Sequence, residues 1–373
     1  MKIVMVDLQA QYRRLRSEID EAMQEVLHSA QFIRGPQVKE FSDALSRYLH
    51  GAYAVPCGNG TDALQIALMA LDLQPDDEVI LPAFTYAAAA EVTHLLRLQP
   101  RFVDAGEDFN IDVAKIEEAV TSKTKAIIPV HHFGQTSKMD AILNMAQKHN
   151  LFVIEDNAQS LGADYFSAEG ARKAGTIGDI GTTSFFPTKN LACFGDGGAM
   201  ITQNQELAKK LAMIANHGQQ KKYYHEIIGV NSRLDTLQAA VLKTKLQYLD
   251  DFNRRRRTAA DQYDFRLKEI SEIKLPVRNA HSSHVFHQYV IQTEKRDALQ
   301  KFLADNEIPS MIYYPLPLPF QPAYQNARYK KGSFPRAEKL SAAVLSLPIH
   351  TEMNEAMVDY ICDAIVKFFK TKS

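Results

Sequence analysis

Between residue 50 and about residue 200, short apolar runs alternate with helical patterns. Strands are predicted at "AYAVPCG" (52–58), "DEVILPAF" (77–84), "PRFVDA" (100–105) and "TKAIIPVHHFG" (124–134). "LFVIEDNAQ" (151–159), "IGTTSFF" (180–186) and "GAMITQ" (198–203) continue the series. Between them "TDALQIALMAL" (61–71), "TYAAAAEVTHLLRL" (85–98), "VAKIEEAV" (113–120) and "KMDAILNMAQKHN" (138–150) predict helices. The first of these is apolar on nearly every side, which predicts a buried helix. The strand runs are apolar throughout rather than at every second residue. That pattern predicts an α/β fold with a mostly parallel sheet covered on both faces. In such a sheet ligands sit outside the carboxyl ends of the strands, so the residues just after each run deserve scrutiny.

Beyond the sheet, residues 233–270 predict one long helical stretch leading away from it. After about residue 255 come a strand in "FHQYVIQ", a helix near "KRDALQKFLADN" and the proline-rich "YYPLPLPFQP". These predict a smaller α+β C-terminal domain. The expected division is 1–250, with the N-terminal segment, and 251–373.

Composition narrows the function classes. With 43 basic against 44 acidic residues, nothing in the charge calls for nucleic acid or an anionic membrane as a partner. The three cysteines, Cys57, Cys193 and Cys362, form no CxxC pair, so neither a disulfide framework nor a zinc site is expected. His131 and His132 lack companions at metal spacing and are expected to pack or to line a substrate site. "RRRR" (254–257) points around a helix rather than along one face, which predicts solvated or subunit-contact charges. The N-terminal apolar run is cut short by Asp7, and no run reaches membrane-spanning length. A cytoplasmic protein is expected.

Three strand-end positions can carry chemistry. Asp156 closes "LFVIED", Lys189 follows "TTSFF", and the turn "CGNGT" opens the buried helix. Taken singly, each has an ordinary explanation: a helix cap, a surface charge and a tight turn. Backbone N–H groups at a helix start also make a phosphate cradle. A Walker loop is absent, because "GDGG" comes after Lys189 rather than before it, and "CGNGTDA" lacks the third glycine of a dinucleotide fingerprint. Taken together, an amine, an acid, a phosphate cradle and an aromatic at strand ends are the parts that hold pyridoxal phosphate.

The segments "GNGTDAL", "PAFTYAAAAEV", "TKAIIPVHHFGQ", "VIEDNAQSLGA", "SFFPTKNL", "GDGGA", "NHGQ", "GVNSRLDTLQAAVL" and "SLPIH" span nearly the whole chain. In them the chain resembles the DegT/DnrJ/StrS family of nucleotide-sugar aminotransferases, which use pyridoxal or pyridoxamine 5′-phosphate on the fold type I scaffold. That resemblance implies a seven-stranded large domain and a smaller C-terminal one. It makes Lys189 the lysine that carries the cofactor and Asp156 the partner of the ring nitrogen. Gln159 would approach the ring hydroxyl, Tyr86 would stack on the ring, and Gly60, Thr61 and Ser184 would bind the phosphate. Asn231 matches a phosphate contact supplied by a neighbouring subunit, which implies a homodimer with shared active sites. Lys221, Arg233, Tyr313 and Tyr314 fall where the family meets its sugar; for Lys221 and Lys222, solvated loop charges are the alternative. Many relatives have histidine where this chain has Tyr313. The implied substrates are L-glutamate and a keto sugar on UDP or dTDP, with the 3-keto class closest in spacing. A 4-keto sugar, or a sensor that binds without turnover, are the alternatives.

Overall fold

The computed structural model describes residues 3–370; residues 1–2 and 371–373, at the two ends of the expected domain ranges, lie outside the described residues. Two helices that the sequence reading did not reach come first, α1 (Leu8–Ser29) and α2 (Pro36–Tyr48). The expected alternation follows: β1 (Tyr53–Cys57), α3 (Gly60–Ala70), β2 (Glu78–Pro82), α4 (Ala88–Leu95) and β3 (Gln99–Val103). It continues with α5 (Val113–Ala119), β4 (Thr124–Ile127), α6 (Met139–His149) and β5 (Phe152–Asp156). An unpredicted hairpin, β6 (Asp164–Ser167) with β7 (Gly170–Lys173), precedes β8 (Ile180–Ser184), β9 (Gly198–Thr202) and α7 (Gln205–Ile214).

The stretch expected as one helical run is two helices, α8 (Thr236–Leu246) and α9 (Leu249–Leu267). Tyr248, at φ −105° and ψ 0°, breaks the run, and a single non-helical residue leaves no mark on apolar periodicity. The expected division at 250/251 falls in the first turn of α9. The remainder is β10 (Tyr289–Gln292), α10 (Arg296–Asp305), α11 (Pro335–Ala343), β11 (Val344–Leu347) and α12 (Glu355–Lys370).

The main sheet has seven strands in the order β1-β9-β8-β5-β4-β2-β3. β8, β5, β4, β2 and β3 pair in parallel, while β9 runs against both β8 and β1. Every strand but β9 therefore ends on the same edge, and the turns after β1, β2, β4, β5 and β8 converge there. α3 lies against the sheet with Ala63, Leu64, Ile66, Ala67 and Leu68 buried, as its all-round apolarity predicts. A second apolar cluster joins α9, α10 and α12 to the β10–β11 pair, where Tyr263 and Tyr289 stack at 4.7 Å.

The four-arginine run is not uniformly solvated. Arg254 and Arg255 pair with Asp251, but Arg256 is only 2% exposed and donates to the carbonyls of Phe286, His287 and Ile349. Those three acceptors lie far along the chain, which is why local charge patterning could not single Arg256 out. Burial lowers its pKa to about 10.

Glu155 is a further buried charge, wholly enclosed beside the end of β5. Its Oε2 meets His131 Nε2 at 2.8 Å and accepts the Gly175 N–H at 2.9 Å. Oε1 accepts the N–H groups of Ile177 and Gly178 at 2.6 and 2.7 Å. His131 Nδ1 accepts from Ser137 N–H at 3.2 Å, which leaves the ring proton on Nε2, facing the carboxylate. Burial pushes the Glu155 carboxyl up, but the His131 contact and the backbone donors outweigh it, and the net shift is downward.

Removing Glu155 would leave the His131 N–H and three backbone N–H groups buried without their acceptor, each at a cost of about 1–3 kcal/mol, so Glu155→Ala should lower the unfolding free energy measurably in urea titrations near pH 7. A depressed folded-state pKa stabilises above the unfolded value, near ~4.3, and the benefit is lost as pH falls through the folded value. The deficit of Glu155→Gln should therefore shrink on acidification. A deficit that stays constant with pH would rule out an ionised Glu155.

Candidate active site

The phosphate cradle is built by α3. Asn59 caps the helix, its Oδ1 taking the Asp62 N–H at 2.8 Å and its carbonyl the Ala63 N–H at 3.1 Å. The N–H groups of Gly60 and Thr61 are left without an acceptor among the described residues, at the positive end of the helix dipole. A Cβ on Gly60 would stand 2.7 Å from the Cβ of Ser184, so only glycine lets the helix start approach the end of β8 this closely. Ser232 ties the turn down from the other side, accepting the Gly58 N–H at 2.9 Å and donating to Asp62 at 2.6 Å. Two free backbone donors and the Ser184 hydroxyl in so small a space fit a phosphate dianion.

Lys189 follows β8 after a turn closed by its own N–H on the Phe186 carbonyl at 2.8 Å. Burial lowers its amine to about 8, while the charge of Asp156 pulls the other way. Asp156 sits at the end of the neighbouring parallel strand, its backbone paired with His131 and Pro129. Burial raises its carboxyl; the Ala158 N–H at 3.1 Å, Lys189 and His131 oppose the rise. Both groups are half-buried, and the enclosure pushes each toward neutrality. A cationic ring nitrogen beside Asp156 would hold it ionised, and a neutral Lys189 amine is nucleophilic.

Gln159 accepts the Phe133 N–H at 2.8 Å and donates to Tyr314 at 3.3 Å. Tyr86 is 62% exposed, an uncovered aromatic face 6.4 Å from the Tyr314 ring. Tyr313 is half-buried beside Tyr314, with ring centroids 6.0 Å apart. One chain therefore gathers Gly60, Thr61, Tyr86, Asp156, Gln159, Ser184, Lys189 and Tyr314 along a single edge. Asn231 is exposed, in a bridge with Asn216, and Arg233 is partly exposed. Lys221 and Lys222 lie over the rings of Tyr224 and Tyr223 at 4.8 and 5.0 Å. No hydrogen bond or ion pair among the described residues links either lysine to Lys189 or Asp156.

Sequence reasoning missed the Glu155–His131 pair behind Asp156. The available signal was a charged residue inside an otherwise apolar strand run. His132, expected to pack or to line the site, is buried among the rings of Phe84, Phe133 and Tyr314.

The lowered amine gives a direct test on the cofactor-free chain. Reductive methylation followed by peptide mass mapping should label Lys189 with a half-maximal rate near pH 8, where ordinary lysines (~10.4) are still protonated. A Lys189 profile that tracks the ordinary lysines would contradict the desolvated site.

The comparisons with known proteins agree with this geometry. The model of the "DegT/DnrJ/EryC1/StrS aminotransferase family" matches residues 13–366. The chain is 44% identical to a "Pleiotropic regulatory protein" of Geobacillus stearothermophilus over 99% of both chains. It is 42% identical to the "UDP-2-acetamido-2-deoxy-3-oxo-D-glucuronate aminotransferase" of Pseudomonas aeruginosa, covering 97% of this chain and 99% of that one. Among solved structures, S. venezuelae DesV in complex with a ketimine intermediate superposes with a TM-score of 0.95 at 38% identity, covering 99% of each chain. On its fold, its strand-end residues and these matches, the chain belongs to the DegT/DnrJ/EryC1/StrS aminotransferase family.

Proposed function

We propose that the chain is a pyridoxal-phosphate aminotransferase that moves the amino group of L-glutamate onto the 3-keto group of a nucleotide-linked sugar. The observation that carries this reading is the convergence of Lys189, Asp156 and the Gly60–Ser184 cradle at the ends of neighbouring strands, where partial burial lowers the Lys189 amine to about 8. Relatives solved with pyridoxamine or pyridoxal phosphate support the cofactor. Several relatives are named for 3-oxo or 3-amino sugars on UDP or dTDP, which favours the 3-keto over the 4-keto substrate. The regulatory name of the Geobacillus relative lends support to a sensor, but sensing needs neither a desolvated amine nor its acid partner.

Bound pyridoxal phosphate supplies an electron sink for the carbanion formed at the amino-acid Cα. The residues of the chain do the rest. Gly60, Thr61 and Ser184 hold the phosphate, and Tyr86 covers the ring. Asp156 keeps a proton on the ring nitrogen. Lys189 would hold the cofactor through its amine and, when that amine is free, would carry the proton to and from Cα. Asn231, exposed on one subunit, completes the phosphate site of its partner in a homodimer. A cytoplasmic enzyme, drawing on soluble glutamate and nucleotide sugars, fits this reading.

Purified protein should be yellow, and its absorbance near ~420 nm should fall on adding L-glutamate. The aminated form should then recover the yellow band with UDP- or dTDP-linked 3-keto sugars and not with 4-keto sugars. Indifference to every amino acid tried would favour the sensor. Lys189→Ala should abolish turnover, a loss at least as large as the ~10²–10⁴-fold that a positioned general acid–base contributes. Near-normal turnover in that variant would sink the assignment.

A further inference from the structure

The Gln159 amide has a fixed orientation. Its Oε1 takes the Phe133 N–H, so Nε2 is the end that meets the Tyr314 hydroxyl. An amide nitrogen only donates; the phenol oxygen must accept, and the proton of Tyr314 is left to point elsewhere. No acceptor among the described residues takes that proton.

Tyr314 is also held in place. Phe84 meets its ring edge-on at 5.8 Å, with Tyr86 at 6.4 Å and His132 at 6.5 Å. The main chain is fastened on both sides of it. Met311 and Ser346 exchange backbone hydrogen bonds at 3.1 and 2.7 Å, and Leu318 N–H donates to the Ala83 carbonyl at 2.8 Å. Burial keeps the phenol above its ordinary range; Gln159 opposes this, while Asp156, Tyr313 and Tyr86 add to it. The hydroxyl therefore stays protonated and can serve as a donor.

We propose that Tyr314 is a second donor to the bound cofactor, acting with the Gln159 amide to hold the anionic oxygen of a 3-hydroxypyridine ring. The proposal rests on the pyridoxal-phosphate reading above. Gln159 spends one N–H on Tyr314 and keeps the other, so two adjacent donors, one N–H and one O–H, remain uncommitted beside Asp156. An ionised phenolic oxygen is a strong acceptor with room for both. A neutral sugar hydroxyl would gain less from such a pair, because charge-assisted bonds are roughly twice as strong as neutral ones. Tyr314 reaches the site from the segment after α10, not from a turn of the large sheet. The ring is thereby gripped by parts of the chain that are remote in sequence.

The test uses the full chain stripped of cofactor, with pyridoxamine phosphate and its 3-deoxy analogue as probes, so that no covalent bond to Lys189 intervenes. Calorimetry suits a chain without tryptophan. Tyr314→Phe should bind pyridoxamine phosphate ~10–100-fold more weakly, the loss of one hydrogen bond to a charged group. The 3-deoxy analogue should bind the native chain and the variant alike. Unchanged affinity for pyridoxamine phosphate, or an equal loss with both probes, overturns the proposal. Melting of the cofactor-free variant should match that of the native chain; a lowered melting temperature together with equal losses marks Tyr314 as structural only. A native chain that binds neither probe sinks the pyridoxal-phosphate reading itself.

Discussion

A carboxylate with no access to water holds the centre of this molecule in register. Glu155 gathers His131 from the end of β4, and Gly175, Ile177 and Gly178 from the turn before β8, onto two oxygens. The strands β4, β5 and β8 lie side by side in the sheet, so one side chain of β5 ties the stretch after β4 to the turn that leads into β8. Asp156 is the next residue, and its backbone pairs with the chain on the β4 side through His131 N–H and the Pro129 carbonyl. Ser160 Oγ then donates to the His131 carbonyl at 2.9 Å, which anchors the turn that presents Gln159. The groups that would meet the cofactor are thus set by hydrogen bonds made behind them. A buried ion is costly unless every lone pair is satisfied, and here the four donors meet that condition.

The electrostatics of the cleft follow from the same enclosure. Low polarity raises the acid and lowers the base, and the direction is opposite for Asp156 and Lys189 because their charged forms have opposite sign. The mutual attraction of the pair only partly restores the charged forms. A ligand that brings a cation to Asp156 and takes the amine of Lys189 into a covalent bond meets both needs at once. The same cleft needs no such adjustment at the start of α3, where the donors are backbone dipoles.

How far this was legible in the sequence depends on how local each cause is. The strands β1 to β5, β8 and β9 and the helices α3 to α6 were readable because each buries a face whose period is written in a few consecutive residues. Lys189, Asp156 and the "CGNGT" turn were readable as strand-end residues, although only their order along the whole chain favours a cofactor site over a cap, a charge and a turn. Arg256 was not readable: its acceptors at Phe286, His287 and Ile349 have no signature near residue 256. The break at Tyr248 rests on one residue's dihedral angles within an unbroken pattern. The link from Gln159 to Tyr314 spans 155 positions, and nothing in either neighbourhood announces it.

That last separation has a consequence for synthesis. Lys189, Asp156 and the cradle at Gly60 can take their places once β8, β9 and the Ser232 tie have joined the sheet. Tyr314 cannot, because the segment that carries it is fastened through Met311 to Ser346 in β11, and β11 pairs with β10. On a ribosome adding ~5–20 residues per second, the nascent large sheet spends many seconds with its cleft lacking one wall. The cleft is closed by nearly the last part of the chain to emerge.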